Sequence, residues 1–433
     1  METSAPILLA VSGGSDSLAL LHLANAWRKK VSANLKVVTV DHGLRPEAAA
    51  EAAFVASVCE GLGIRHLTLA WEGLKPSSGI AEAARQARYM LIEEFALDVG
   101  AKTILTGHTQ DDQAETVLMR NARKKSRQSR GLAGMGSSMS LAQGTKVIRP
   151  LLSVSRKSLR EYLTIRGQSW VEDPSNFDTA YERVRARNTL HNLEISHNQI
   201  SRFASLIGRE RIIVSNATHQ FLSEHLKIRP GPVFEIKTKA LETLAQPVRD
   251  LVLQIIIALA GGSTYFTSTK KFIEFITEPS DGASLQRITV GNCVLERHAT
   301  IIRILRENRN LPTQSVSSGE QTLWDGRLLV HNDTANLIVI SALGNERAKI
   351  IEEEHGIRLP GKPRSVLAST PIIDTHDGKV LLPFLQKRNS IDGLHHNFVS
   401  PAIEHYCPSF DYPLLTLMNS VRSTFRNELP LVG

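Results

Sequence analysis

Cysteine is scarce in this 433-residue chain: three residues, Cys59, Cys293 and Cys407, stand far apart and form no CxxC pair. That scarcity excludes a disulfide framework and offers no zinc, iron–sulfur or dithiol motif, so a reducing cytoplasm is the expected compartment. Long apolar runs are also missing. The longest, Leu251 to Ala260, is interrupted by Gln254 and is about half of the ~20 residues a bilayer span needs, so it reads as a core helix. No basic segment precedes the short apolar run of METSAPILLAV, which leads into a glycine loop rather than a cleavage site; no export signal is expected. With 28 glycines and 18 prolines the chain is neither collagenous nor of low complexity.

What is present is ordinary globular composition, 42% hydrophobic and 22% charged, with 51 Lys and Arg against 43 Asp and Glu. The net charge of +8 and pI near 9.4 permit a polyanionic partner, but a merely basic soluble protein has the same balance. At roughly 100–200 residues per domain, two to four domains are expected.

Residues 1–200 alternate short β-branched runs with amphipathic stretches. Strands are predicted at Ile7 to Val11, Leu35 to Val40, Ile64 to Ala70, Thr103 to Thr106 and Lys146 to Leu151. Helices fall at Asp16 to Lys30, Ala48 to Leu62, Ile80 to Val99, Gln110 to Ala122 and Arg156 to Arg166. This rhythm implies an α/β domain, a doubly wound parallel sheet that binds ligands at the carboxyl ends of its strands. Residues 201–310 read as a helical, then α+β, unit with helices at Gln199 to Lys227, Lys239 to Leu259 and Ser268 to Ile276. Gly291-Asn292 is a hairpin turn between Gln286 to Val290 and Cys293 to Arg297. The polar stretch 311–325 reads as a linker, and 326–433 as a smaller α+β domain.

The strongest local feature is the strand ILLAV followed by Ser12-Gly13-Gly14-Ser15-Asp16-Ser17 and an apolar helix. A glycine turn at a helix N-terminus aims free N–H groups and the positive dipole end at one point, which suits phosphate; a tight turn capped by Ser or Asp is the alternative. The lone GxxxxGK match, Gly356 to Lys362, is followed by Pro363 and is rejected as a Walker loop. Asp111, Asp112 and Glu115 open one helix, where they either carry a divalent ion or satisfy the helix dipole behind a Thr109 cap. His108 either meets nucleotide or caps the turn. Arg85 and Arg88 share a helix face and serve phosphate or an internal ion pair equally well. His395, His396, His405 and Cys407 have no recognised metal spacing.

SGGSDS after the first strand resembles the pyrophosphate loop of the N-type ATP pyrophosphatases, which cleave ATP between the α and β phosphates and adenylate a substrate. DHGLR at Asp41 to Arg45, EAARQARY at Glu82 to Tyr89, GHTQDDQAET at Gly107 to Thr116 and EDPSNFD at Glu172 to Asp178 resemble, in order and spacing, segments of the tRNA(Ile)-lysidine synthetases. GLAGM at Gly131 to Met135 and RPLL at Arg149 to Leu152 also fit, so the likeness covers about 190 residues. It makes 1–200 an adenylation domain and the later domains tRNA-binding, with the middle region weakly similar to the family's substrate-binding domain.

The resemblance implies that Ser12 to Ser17 and His108 bind ATP, that Asp41, Arg45, Arg85 and Arg88 form the reaction pocket, and that Asp111, Asp112 and Glu115 hold Mg²⁺. It further implies that lysine is ligated to C2 of the wobble cytidine in a CAU anticodon through an adenylated intermediate, releasing pyrophosphate and AMP and turning AUG reading into AUA reading. The partners are then tRNA(Ile) and free L-lysine, with no membrane and no obligate protein partner. Asp173, Asn176 and Asp178 fix a turn more readily than they touch substrate. Arg183, Arg185 and Arg187 are candidates for RNA phosphate, or else a solvated helix face. Relatives usually carry a shorter, glycine-containing loop where this chain reads RNARKKSRQSR. Its Arg120, Arg123, Lys124, Lys125, Arg127 and Arg130, with no acidic residue among them, suggest an RNA-clamping loop. The rivals are a tRNA thiolase, which usually needs reactive cysteines or a cluster, an amidotransferase-coupled synthetase, and a catalytically silent RNA-binding module.

Overall fold

The computed structural model describes residues 5–123, 129–172, 178–180, 182–192, 195–229, 231–277, 285–298, 300–354, 367–385 and 391–427. The rejected GxxxxGK segment, Lys124, Lys125, Arg127, Asp173 and Asn176 lie outside these. The chain forms two compact units, Met1–Ile212 with Tyr406–Phe410, and Ile213–His405 with Asp411–Gly433. The sequence had suggested a first domain ending near 200, then a middle domain, a linker and a C-terminal domain.

The first unit runs β1 (Ile7–Ala10), α1 (Ser15–Val31), β2 (Leu35–Asp41), α2 (Ala48–Leu62), β3 (Arg65–Ala70), α3 (Ile80–Asp98), β4 (Thr103–Thr106), α4 (Gln110–Ala122), β5 (Ser138–Ser140), β6 (Lys146–Ile148), α5 (Arg156–Ile165), α6 (Glu182–Asn192) and the start of α7 (His197–His225). The strand order β3-β2-β1-β4-β6 is parallel throughout. Burial on both faces explains the unbroken apolar run of β1: Leu8 and Leu9 are both fully buried, Leu9 among α1, α2 and α5 and Leu8 against α3. β5 pairs antiparallel with β6, and a strand at Cys407–Pro408 pairs antiparallel with β5. These edge additions are too short to carry a periodicity.

From β1 the chain steps to β2 and β3 on one side, then returns to place β4 on the other side of β1 and β6 beyond it. The connections after β1 and β4 therefore leave adjacent strands in opposite directions, which opens a crevice at their carboxyl ends.

Among the described residues the second unit holds three antiparallel sheets. β7 (Lys227–Arg229), β8 (Val233–Lys237), β9 (Gln286–Val290), β10 (Cys293–Arg297) and β11 (Ile301–Arg306) form the first, in the order β7-β8-β11-β10-β9. Gly291 and Asn292 both have positive φ, as the predicted hairpin requires. The helix expected over Lys239 to Leu259 is two, Thr238–Glu242 and Gln246–Gly261, because Pro247 starts a new helix and cannot continue one. Residues 311–325 are not a linker: they carry β12 (Gln314–Val316) and β13 (Glu320–Trp324), which pair with Ile338–Ala342 and Leu328–Asn332. Their polar sequence hid them, and the fully buried Trp324 anchors the pair through an indole bond to Pro312 O.

Candidate functional site

Val11 ends β1 by donating to Val38 O at 3.0 Å, and the chain turns through Gly13 at φ +80 into α1. Ser17 braces the turn: Ser12 N donates to its Oγ at 3.1 Å, and that Oγ donates to Gly14 O at 3.0 Å. Val171 N donates to Gly13 O at 3.0 Å and ties the far side. Gly14 occupies the N-cap and no side chain caps it, so the tight-turn alternative with a Ser or Asp cap does not hold. The start of α1 has no side-chain cap, an arrangement that suits an anion. Ser15 and Ser17 are buried and Ser12 is exposed. Directly after β4, Gly107 packs on this turn so closely that a Cβ would lie 3.0 Å from Asp16 C and O and from Ser17 Cα.

The start of α4 supplies the facing acids. Thr109 and Asp112 form a reciprocal capping box, with Thr109 N donating to Asp112 Oδ2 at 2.9 Å. Arg156, the first residue of α5, reaches Asp16 at 2.8 Å, Asp112 at 3.2 Å and Glu115 at 3.7 Å, and its backbone N donates to Asp111 Oδ2 at 2.8 Å. Arg187 meets Glu115 at 3.0 Å from the other side. Burial raises the Asp16 carboxyl, opposed by Arg156. Burial would raise Asp112 too, but Arg156, His108 and Arg183 together bring it below the ordinary range. Burial, then the Arg149 charge, pulls His108 down to about 3, so its imidazole is neutral, with Nδ1 at 2.9 Å from Thr106 Oγ1.

Asp111, Asp112 and Glu115 do not assemble as one cation cage; among the described residues no three His, Cys, Asp or Glu side chains do. Neighbours on a helix point apart, and Asp112 and Glu115 turn to the arginines. Glu115 Oε2 is nevertheless buried without a hydrogen-bond partner, and Asp111 is met by the Arg156 backbone N rather than by its guanidinium. Asp16 and Asp111 face the crevice, a sparse oxygen set that fits a magnesium ion carried mostly by water and phosphate.

The crevice is a cavity of about 1100 Å³. On its wall lie Ser12, Gly14, Ser15, Asp16, Ser17, His108, Asp111, Arg88 and Arg187 from the predicted set. Gly13, Asp41, Arg45, Arg85, Asp112, Glu115, Arg183 and Arg185 do not line it. Asp41 accepts from Gly43 N at 2.8 Å, Arg45 pairs with Glu51 at 3.2 Å, and the Arg85 guanidinium lies 5.1 Å from the Tyr89 ring centre. Arg185 donates to Thr179 O and Ala180 O, and Asp178, one of the three residues expected to fix a turn, accepts from Ala180 N. In the basic segment Arg120 donates to Gly131 O and Gly134 O, Arg130 O accepts from Arg211, and Arg123 pairs with Glu182, a counter-charge from outside the segment. Sequence reasoning missed Arg156, Arg160, Lys157 and Trp170 on the wall. The signal was there: Arg156 and Lys157 open a helix with no acid in its first turn, against the dipole.

Residues 2–194 match the PP-loop domain family. A tRNA(Ile)-lysidine synthase of Brucella anthropi is 34% identical over 427 residues, 95% of this chain and 93% of that protein. The Rhizobium meliloti protein of the same name is 37% identical over 337 residues, 75% of this chain and 72% of that one. The U34-tRNA thiolase NcsA of Methanococcus maripaludis, solved with its 4Fe–4S cluster, aligns with 46% of this chain and 70% of its own at 19% identity and a TM-score of 0.40. By its PP-loop domain and its likeness to these synthases over three quarters or more of its length, the chain belongs to the tRNA(Ile)-lysidine synthase family.

Proposed function

We propose that this enzyme ligates free lysine to C2 of the wobble cytidine in the CAU anticodon of tRNA(Ile), using ATP and releasing pyrophosphate and AMP. One observation carries the reading: the capless start of α1, Gly107-His108 and the carboxylates Asp16 and Asp111 line a single cavity at the β1/β4 switch point. The uncapped N–H groups of α1, with Ser12 and Ser15, hold phosphate. Arg156 keeps Asp16 and the α4 acids in register. His108, neutral through burial, offers a hydrogen bond rather than a charge to the nucleotide. Asp16 and Asp111 would hold a magnesium ion, which would supply charge stabilisation on the phosphates. The cytidine O2 attacks the α-phosphorus, and the lysine ε-amine then displaces AMP at C2. The target base must leave the anticodon stack to reach the cavity. Lys124, Lys125 and Arg127, with Arg183 and Arg187, supply phosphate contacts to tRNA.

The thiolase alternative meets a chemical obstacle. Cys59 is fully buried, which pushes its thiol up to about 11; burial pushes Cys293 up to about 12. Neither is a ready thiolate. No helix among the described residues is long and apolar enough to cross a membrane. The test is incubation with unmodified CAU-anticodon tRNA(Ile), magnesium, ATP and labelled lysine. Label retained in RNA, dependent on ATP and on the anticodon cytidine, with matching AMP, is expected. AMP formed only when a sulfur donor replaces lysine would overturn it.

A further inference from the structure

The cations on the cavity wall differ in what holds them. Arg156 meets Asp16 at 2.8 Å, Arg160 meets Glu172 at 2.8 Å, Arg187 meets Glu115 at 3.0 Å and Lys157 meets Glu161 at 4.0 Å. Arg88, from α3, is held instead by an imidazole: its Nη2 and Nε lie 3.2 and 3.4 Å from His42 Nε2. His42 directly follows β2, and its ring is set by packing. The Trp71 ring stands edge-on at 6.0 Å and 87°, with Lys75 Nζ 4.4 Å from the Trp71 ring centre. His42 Nδ1 is buried without a hydrogen-bond partner.

For Arg88 to donate, Nε2 must carry the lone pair, which leaves the proton on Nδ1 and the ring neutral. The surroundings enforce that state. Burial first, then the Arg88 charge, with Lys75 adding and Asp41 opposing, draws His42 down to about 4. A carboxylate at this position would orient the guanidinium equally well but would cancel its charge; a neutral acceptor orients it and leaves the charge intact.

We propose that His42 is a positioning residue, a neutral acceptor that fixes the Arg88 guanidinium on the cavity wall so that its full charge meets the phosphates of the nucleotide. The proposal rests on the reading of this cavity as the nucleotide site. It also assigns the segment after β2 its contribution to the cavity. Asp41 and Arg45 have local partners, and His42 reaches the wall through Arg88.

Equilibrium dialysis of ATP with magnesium, without tRNA, tests it on the full chain and on His42→Asn, His42→Asp, Arg88→Gln and the His42→Asp/Arg88→Gln double variant. Thermal midpoints report folding. His42→Asn, which keeps a neutral acceptor, should bind within about threefold of wild type. His42→Asp should bind about tenfold or more weakly, the range for losing one charge-assisted hydrogen bond, and should match Arg88→Gln. The double variant should bind no more weakly than Arg88→Gln alone, since both changes act through one guanidinium. Wild-type affinity in His42→Asp, equal losses in the Asn and Asp variants, or a further loss in the double variant would each overturn the proposal. A wild-type chain that binds no ATP would sink the underlying reading and the proposal with it.

Discussion

Arg156 Nε donates to Asp16 Oδ2 at 2.8 Å, joining the first turn of α5 to the turn after β1 across 140 residues of sequence. The same guanidinium reaches Asp112 and Glu115, so one side chain holds three carboxylates that would otherwise repel.

Replacing it should therefore disturb both stability and the site. Removing one partner of a buried pair costs roughly 3–5 kcal/mol. Arg156 keeps 20% side-chain exposure, which reduces the expected loss in Arg156→Gln to about 2–3 kcal/mol. Arg156→Lys should recover part of the stability but little of the adenylation rate, because an ammonium cannot span the three acids. Denaturant midpoints and pyrophosphate release measure the two; a fully active Gln variant would remove Arg156 from the site.

Gly107→Ala tests the contact between the connections after β4 and β1. Its Cβ would press on Asp16 and Ser17 backbone at 3.0 Å, and backbone cannot swing aside as a side chain can. A loss of about 1–3 kcal/mol is expected, with ATP affinity falling more than stability explains. Unchanged ATP binding would show that the turn tolerates the shift.

Stability should depend on His42 in acid. An exposed imidazole titrates near ~6.5, while His42 in the fold is held to about 4. Between those values the unfolded chain takes up a proton that the folded chain refuses, so stability falls as pH drops through that window. His108, held to about 3, acts in the same direction. Urea midpoints of wild type and His42→Asn should have a constant offset above pH 7 and drift below it, wild type losing more. Parallel curves from pH 7 to 4 would contradict this.

Substitutions in the basic segment are expected to separate into two classes. Neutralising Lys124, Lys125 and Arg127 should lower tRNA affinity and reduce the slope of log affinity against log salt by about 2 to 3, near 0.7–0.9 per lost phosphate contact. Arg120→Gln should instead cost stability, since its guanidinium bonds Gly131 O and Gly134 O. A salt slope unmoved by the triple change would rule out a phosphate-binding role for those three.

Much of the first unit was legible because its signals are local. Apolar runs bounded by glycine located β1 and β4, and helical periodicity located α2 and α4 to the residue. SGGSDS and the Thr109-to-Glu115 helix start announced the glycine turn after β1 and the capped, acidic start of α4 through backbone chemistry that acts within a few residues. That Asp112 and Glu115 pair with Arg156 and Arg187 was not legible, because sequence spacing shows which acids share a helix and not which arginine meets them.

Composition and short-range pattern by themselves determined the α/β class, the hairpin at Gly291-Asn292 and the glycine turn between β1 and α1. Tertiary structure decided the rest: the strand order that sets β4 beside β1, the antiparallel edge, and the strands hidden in 311–325. It also decided that Arg156 is spent on Asp16, Asp112 and Glu115 while Arg88 is held by a neutral histidine. The physical reason is range. Backbone propensity and capping are settled among neighbours, whereas a charge pair depends on which distant residue the folded sheet brings within about 4 Å, where Coulomb attraction can outweigh desolvation.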